Sequence, residues 1–197
     1  MKILIDNGHG ENTPGKQSPD RKLREYAYTR EIAERIVQEL SKQGYDAERI
    51  VKENIDVPLT ERAKRVNAFC GKLGASNVIL VSVHCNAAGS GEWMKARGWS
   101  AYTSKGKTKS DALSDCLYES ARMMFTGQRI REDRSDGDPD WEENFYILRK
   151  TKCPAVLTEN FFQDNKEDVA YLLSNEGKQA IVDVHVDGII NYIKANE

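Results

Sequence analysis

The 197-residue sequence predicts an α/β fold, with a mostly parallel (mixed), twisted sheet of about six strands flanked by helices. Three observations carry this. Short β-branched apolar runs alternate with longer segments of helical periodicity. The most apolar run, Asn77-Val-Ile-Leu-Val-Ser-Val-His84, has the unbroken hydrophobicity of a central strand buried on both faces. No repeat, linker or low-complexity stretch divides the chain, so residues 1–197 read as a single domain, within the usual size of one.

The elements follow in order. Ile3-Leu4-Ile5 makes a strand over 3–6 that breaks into Asp6-Asn7-Gly8-His9-Gly10, where the glycines allow a sharp turn. Leu23 to Gln43 is helical, with Ile32, Ala33, Ile36, Val37 and Leu40 on one side and Gly44 at the stop. A short strand follows at Ala47–Val51, then a helix from Pro58 to Leu73, opened by proline and closed by Gly74. After the central strand come a strand from Gly98 to Ser104 and a helix from Ser110 to Phe125. The acidic stretch EDRSDGDPDWEE (132–143) is rich in turn formers and reads as an irregular loop. Phe145–Arg149 and Ala155–Thr158 are expected to be strands, and Lys166–Ala195 a helical region.

Composition excludes several function classes. The formal charge is −2, from 29 basic and 31 acidic residues, with no basic stripe, so no nucleic-acid partner is expected. No apolar run approaches a membrane span and no Sec-type leader opens the chain. The expectation is a monomer without membrane insertion, made in the cytoplasm. The cysteines, Cys70, Cys85, Cys116 and Cys153, are scattered without a C-x-x-C pair and read as small buried hydrophobes. Cys85 should point away from His84's face, into the core.

In open α/β sheets, functional groups gather beyond the carboxyl ends of the strands. Three strands here end in polar residues that burial alone does not explain: Asp6-Asn7-Gly8-His9, Ser82-Val83-His84-Cys85-Asn86 and Thr158-Glu159-Asn160. A lone histidine on such a loop is ordinarily a surface residue. Three polar tips at one sheet edge indicate a shared site. Glu25 lies in helical phase with Ile32 and Ile36, so its carboxylate leaves from the core-facing side. A first-turn glutamate also suits the helix dipole. Beside His9 and His84 it reads as a metal ligand, because two imidazoles and a carboxylate with one position left to water form a catalytic zinc set.

These residues, in this order, resemble the zinc-dependent N-acetylmuramoyl-L-alanine amidases of the Amidase_3 type. The resemblance rests on Ile5-Asp6-Asn7-Gly8-His9-Gly10, Glu25 with Ala33, Leu59 with Arg62 and Asn67, Ser82-Val83-His84-Cys85-Asn86-Ala87, and Pro154-Ala155-Val156-Leu157-Thr158-Glu159-Asn160-Phe161-Phe162. It spans residue 3 to about 190. It implies a zinc-exopeptidase-like fold forming one catalytic domain, and a single zinc ion on His9, Glu25 and His84. Glu159 would be the catalytic acid. The substrate would be peptidoglycan, cut between N-acetylmuramic acid and the L-alanine of the stem peptide, as by an endolysin-like enzyme released on lysis or exported by another route. Asp6, Asn7 and Asn86 are candidates to orient the histidines.

The loop ENTPGKQSPD (11–20) and the segment 129–144 depart from the family and are expected to border the substrate groove. The short connection from Cys85 to Arg97 leaves no room for the covering helix some members insert there. Trp93 and Trp141, in loops, are the better candidates for substrate contact. Trp99 and Tyr146 read as structural strand residues, Arg62 as a maker of structural ion pairs, and His185 as a satisfied buried histidine on the last helix. Two alternatives stand beside the amidase: a zinc exopeptidase, which needs a pocket cation for a terminal carboxylate, and a non-catalytic wall-binding module.

Overall fold

A computed structural model describes residues 1–196. Its strands are β1 (Lys2–Asn7), β2 (Asp46–Arg49), β3 (Val78–Asn86), β4 (Ser100–Thr103), β5 (Trp141–Glu142) and β6 (Ala155–Phe162). The helices are α1 (Glu25–Lys42), α2 (Leu59–Leu73), α3 (Lys109–Met124), α4 (Tyr146–Lys150), α5 (Lys166–Leu173) and α6 (Asn175–Ala195). The strands form one six-stranded sheet in the order β2-β1-β3-β6-β4-β5. All pairings are parallel except β4 against β6. This is the expected mixed, mostly parallel α/β fold.

Alternate residues of each strand feed two cores, one on each face of the sheet. Ile3, Ile5, Ile79, Val81, Val83, Cys85 and Val156 pack beneath α1, α3 and α6. Leu4, Val78, Leu80, Tyr102 and Leu157 pack with α2 and α4 on the other face. Cys85 therefore enters the core, as expected, and His185 of α6 is fully buried. Its Nδ1 meets the Ile181 carbonyl at 2.7 Å, so it carries the proton, and Nε2, 2.9 Å from the Thr158 hydroxyl, accepts.

One segment differs from the sequence expectation. Residues 145–149 do not form a strand; Tyr146–Lys150 is the helix α4. The neighbouring Ile147 and Leu148 are both buried in the α2-side core, which a one-sided helical turn achieves and an alternating strand does not. The sixth strand is instead Trp141–Glu142, at the end of the acidic loop, so Trp141 lies on the sheet edge. The C-terminal helical region is two helices, separated at Ser174, whose hydroxyl caps α6 by accepting from Gly177 N–H.

The register of β6 against β3 shifts by one beyond the pair His84–Glu159, so that Asn160 and Phe161 together oppose Cys85. Phe161 takes φ 63° to make this bulge.

Candidate active site

The site forms where β1 leaves the sheet. After Asn7 the chain turns, and the turn is made by His9 itself, at φ 60°. The flanking glycines do not supply the left-handed conformation; they supply room. A Cβ at position 8 would lie 2.4 Å from His84 Nδ1, and one at position 10 would lie 1.9 Å from the Asp56 nitrogen. A non-glycine residue held at positive φ costs of order 1–3 kcal/mol and persists where its surroundings over-determine it. Here they do. The His9 carbonyl accepts from Arg30 Nη2 at 3.0 Å and Arg62 Nη2 at 3.2 Å, and the Gly8 carbonyl accepts from Thr29 Oγ1 at 3.1 Å.

Glu25, the first residue of α1, points inward as its helical phase requires, and is fully buried. Because β1 has ended, Cys85 on β3 has no strand partner on that side. Its N–H donates to Glu25 Oε1 at 3.0 Å, and its carbonyl accepts from Gln163 Nε2 at 3.3 Å. The same Gln163 amide donates to Glu25 Oε2 at 2.9 Å. His84 Nδ1 and His9 Nε2 stand 3.3 Å and 3.5 Å from Glu25 Oε1.

Ligand atoms of His9, Glu25 and His84 all lie within 4.8 Å of one another. The side chains of His9 and His84 are 21% and 17% exposed against 1% for Glu25, so the cluster opens to solvent on its imidazole side. Two ring nitrogens and a carboxylate oxygen converging from different elements, with an open side, fit a tetrahedral metal with one exchangeable position.

Electrostatics differ among the three donors. Burial lowers the His9 pKa to about 4, leaving the neutral imidazole that a metal requires. Burial also opposes charge on His84, but the Glu25 carboxylate outweighs it and raises its pKa. Burial likewise opposes ionisation of Glu25, yet His84, His9 and the Cys85 N–H hold its pKa below the usual value.

Glu159 stands beside His84 across the β3–β6 ladder and does not join the three-residue cluster. Its Oε2 is buried without a hydrogen-bond partner. Burial, opposed by the charge of His84 and reinforced by Glu25, pushes its pKa up to about 7. The charges of Lys16 and Arg131 act on it in the opposite sense.

Asp6, Asn7 and Asn86 do not orient the histidines. Asp6 is held by Arg62 Nη1 at 2.7 Å and Ser82 Oγ at 2.6 Å, Asn86 accepts from the Ala87 N–H, and the Asn7 side chain is buried without partners. Arg62, 2% exposed, is structural as expected, bonding Asp6, Asp56 and the carbonyls of Asn7, His9 and Val57. Gln163, bonded to Glu25, is the residue of the cluster's surroundings that sequence reasoning missed. The signal was present, because it too is a polar residue at the tip of an apolar strand. Trp99 is fully buried and donates to Asn160 Oδ1, a structural residue as expected, whereas Tyr146 sits on α4 and not on a strand. Trp93 is partly buried against the core.

Comparison with known proteins shows what the chain is similar to. The family model described as N-acetylmuramoyl-L-alanine amidase (Amidase_3) matches residues 3–191. The chain is 27% identical over 191 residues to the endolysin of Bacillus phage SPP1, covering 95% of this chain and 64% of that protein. It is 28% identical over 192 residues to the N-acetylmuramoyl-L-alanine amidase CwlM of Bacillus licheniformis, covering 96% of this chain and 67% of that one. The chain thus spans about two thirds of the length of these curated relatives. The crystal structure of an N-acetylmuramoyl-L-alanine amidase from Clostridium difficile 630 superposes with a TM-score of 0.82 at 24% identity, covering 100% of this chain and 98% of that one.

Proposed function

From the premise that the chain belongs to the Amidase_3 family of N-acetylmuramoyl-L-alanine amidases, we propose that it is a zinc-dependent peptidoglycan hydrolase. It cleaves the amide between the lactyl group of N-acetylmuramic acid and the L-alanine of the stem peptide. The observation that carries this reading is the convergence of His9, Glu25 and His84 at one edge of the sheet, with the non-clustered carboxyl of Glu159 alongside His84. A binding module has no use for that fourth group.

His9 Nε2, His84 Nδ1 and Glu25 Oε1 would hold the ion. A zinc ion in such a site supplies an acidified water and polarisation of the scissile carbonyl. The rest of the chemistry falls to the chain's own groups. Gln163 and the Cys85 N–H fix both oxygens of Glu25, which presents its carboxylate to the imidazoles in one orientation. Gly8 lets the first loop lie against the His84 ring. Glu159 Oε2, free of other partners, takes a proton from the attacking water and passes it to the departing alanine nitrogen. The leaving group then departs as a neutral amine.

Digestion of purified cell wall tests the reading. An amidase exposes new N-terminal L-alanine without releasing free C-terminal amino acids. Release of C-terminal residues would identify an exopeptidase, and binding without turnover a wall-binding module.

A further inference from the structure

Beyond Glu159 the sheet carries a second set of polar groups with no assigned role. Glu159 on β6 pairs with His84 on one side and with Ser100 of β4 on the other. On the far edge of β4, Trp99 bridges to Ile130 in parallel, and the Arg131 N–H donates to the Trp99 carbonyl at 2.7 Å, so Arg131 stands next to Ser100. His84, Glu159, Ser100 and Arg131 therefore form one row across four neighbouring backbones.

They also share a face. Trp99 and Ala101 lie in the core beneath α3 and α6, and Ile130 packs against the same core. Alternation puts Ser100 and Arg131 on the opposite face, with Tyr102 and Leu157. The row ends two strand spacings from Glu159, roughly 10 Å of backbone separation.

Both outer groups lack partners. Ser100 is fully buried, and its hydroxyl makes no hydrogen bond. Arg122 and Arg134 pair with Glu132, whereas Arg131, between them in sequence, has no carboxylate partner among the described residues. Its guanidinium is instead held between aromatic faces, 5.1 Å from the Trp141 ring centroid and 5.1 Å from that of Phe162. Its backbone is pinned as well, since the Arg131 carbonyl accepts from the Tyr118 hydroxyl at 2.9 Å. A flat guanidinium fixed by stacking, with its donors unspent, is suited to a carboxylate.

We propose that Arg131, with the hydroxyl of Ser100, binds a carboxylate on the peptide side of the scissile amide, so that the enzyme selects stem peptides with a free acid close to the first alanine. This rests on the amidase reading. In such a substrate the lactyl carboxyl is consumed in the amide, so the free acids belong to the peptide. With the reacting amide between His84 and Glu159, an extended stem crosses Ser100 and brings the residue after L-alanine within reach of Arg131. That residue occurs as γ-linked glutamate, with a free α-carboxylate, or as its α-amide, and Arg131 discriminates between them.

The test compares N-acetylmuramoyl-L-alanyl-γ-D-glutamyl-L-lysinamide with N-acetylmuramoyl-L-alanyl-D-isoglutaminyl-L-lysinamide, which differ only in the α-carboxyl of the second residue, scoring new alanine amino termini, for the wild type, Arg131→Gln and Arg131→Lys. The wild type should favour the acid by about tenfold or more in kcat/KM, the scale of one charge-assisted hydrogen bond. Arg131→Gln should remove the preference by raising KM for the acid, with kcat and the rate on the amide nearly unchanged. Arg131→Lys, which keeps the charge but not the planar fork, should retain part of the preference. Equal wild-type kcat/KM on the two substrates overturns the inference alone, and needs no variant to fold. An equal loss on both substrates in Arg131→Gln makes the residue structural and overturns it too. No cleavage of either substrate by the wild type overturns the amidase reading and this one with it.

Discussion

Glu25 and Gln163 lie 138 positions apart in the chain and are joined by a 2.9 Å hydrogen bond from the amide of Gln163 to Oε2 of the carboxylate. Gln163→Leu removes that donor and leaves a buried carboxylate oxygen unpaired. Metal affinity should fall roughly 10–100-fold, with folding stability lower by about 1–3 kcal/mol. Chelator competition and urea denaturation measure the two. An unchanged metal affinity would show that Gln163 only packs.

The cluster of His9, Glu25 and His84 should hold one zinc ion per chain. Elemental analysis of the purified protein checks the count, and His84→Ala should lose metal and activity together. A protein that carries no transition metal and shrugs off strong chelators is not a zinc amidase.

Glu159→Gln should keep the fold and the zinc while turnover falls by about 10²–10⁴-fold, because the amide cannot accept the water's proton. Loss of zinc in this variant would make Glu159 a ligand. A near-normal rate would mean another group moves the proton.

His185 makes a separate prediction about acid stability. Burial holds its pKa at about 4, against 6.5 for a free imidazole. Between those values the unfolded chain binds a proton that the folded protein does not, so stability is full above pH 6.5 and is lost as pH falls toward 4. The loss from this one group should be roughly 3 kcal/mol at most. His185→Gln, which does not titrate, should show a flatter decline when unfolding by urea is compared at pH 7 and pH 4.5. Parallel curves for the two proteins would count against it.

The connection between β3 and β4 contains no helix, and the imidazoles of His9 and His84 are partly exposed. Purified protein should digest accessible sacculi without an activating partner. Inertness until a partner is added would contradict this.

Much of the site was legible in the sequence because burial makes polar residues conspicuous. His9, His84 and Glu159 stood out at the tips of apolar strands, and the phase of α1 turned Glu25 inward. What stayed hidden depends on distant parts of the chain. That His9, and not a glycine, takes the left-handed turn follows from Arg30 and Arg62 gripping its carbonyl. Asp6 was read as a partner of the histidines, but Arg62 claims it. The run at 145–149 has strand composition, and only its docking beside α2 makes it helical. Ser100 and Arg131 could not be placed near Glu159 until the order of strands was known.

The bulge at Asn160–Phe161 also makes the site sensitive to a local backbone conformation in a way no side-chain list conveys. Upstream of it, Glu159 faces the catalytic row; downstream, the extra residue inverts the odd–even alternation, so that Phe162 returns to that face beneath Arg131 while Gln163 turns to Glu25. Straightening the bulge at unchanged length would restore an even ladder and swap the two. Arg131 would lose its stacking ring and Glu25 its amide, although every amino acid with a direct part in the chemistry remained. Backbone conformation here is under the same constraint as identity: a functional homologue should either keep the bulge or omit its extra residue, and should not run a straight strand at full length.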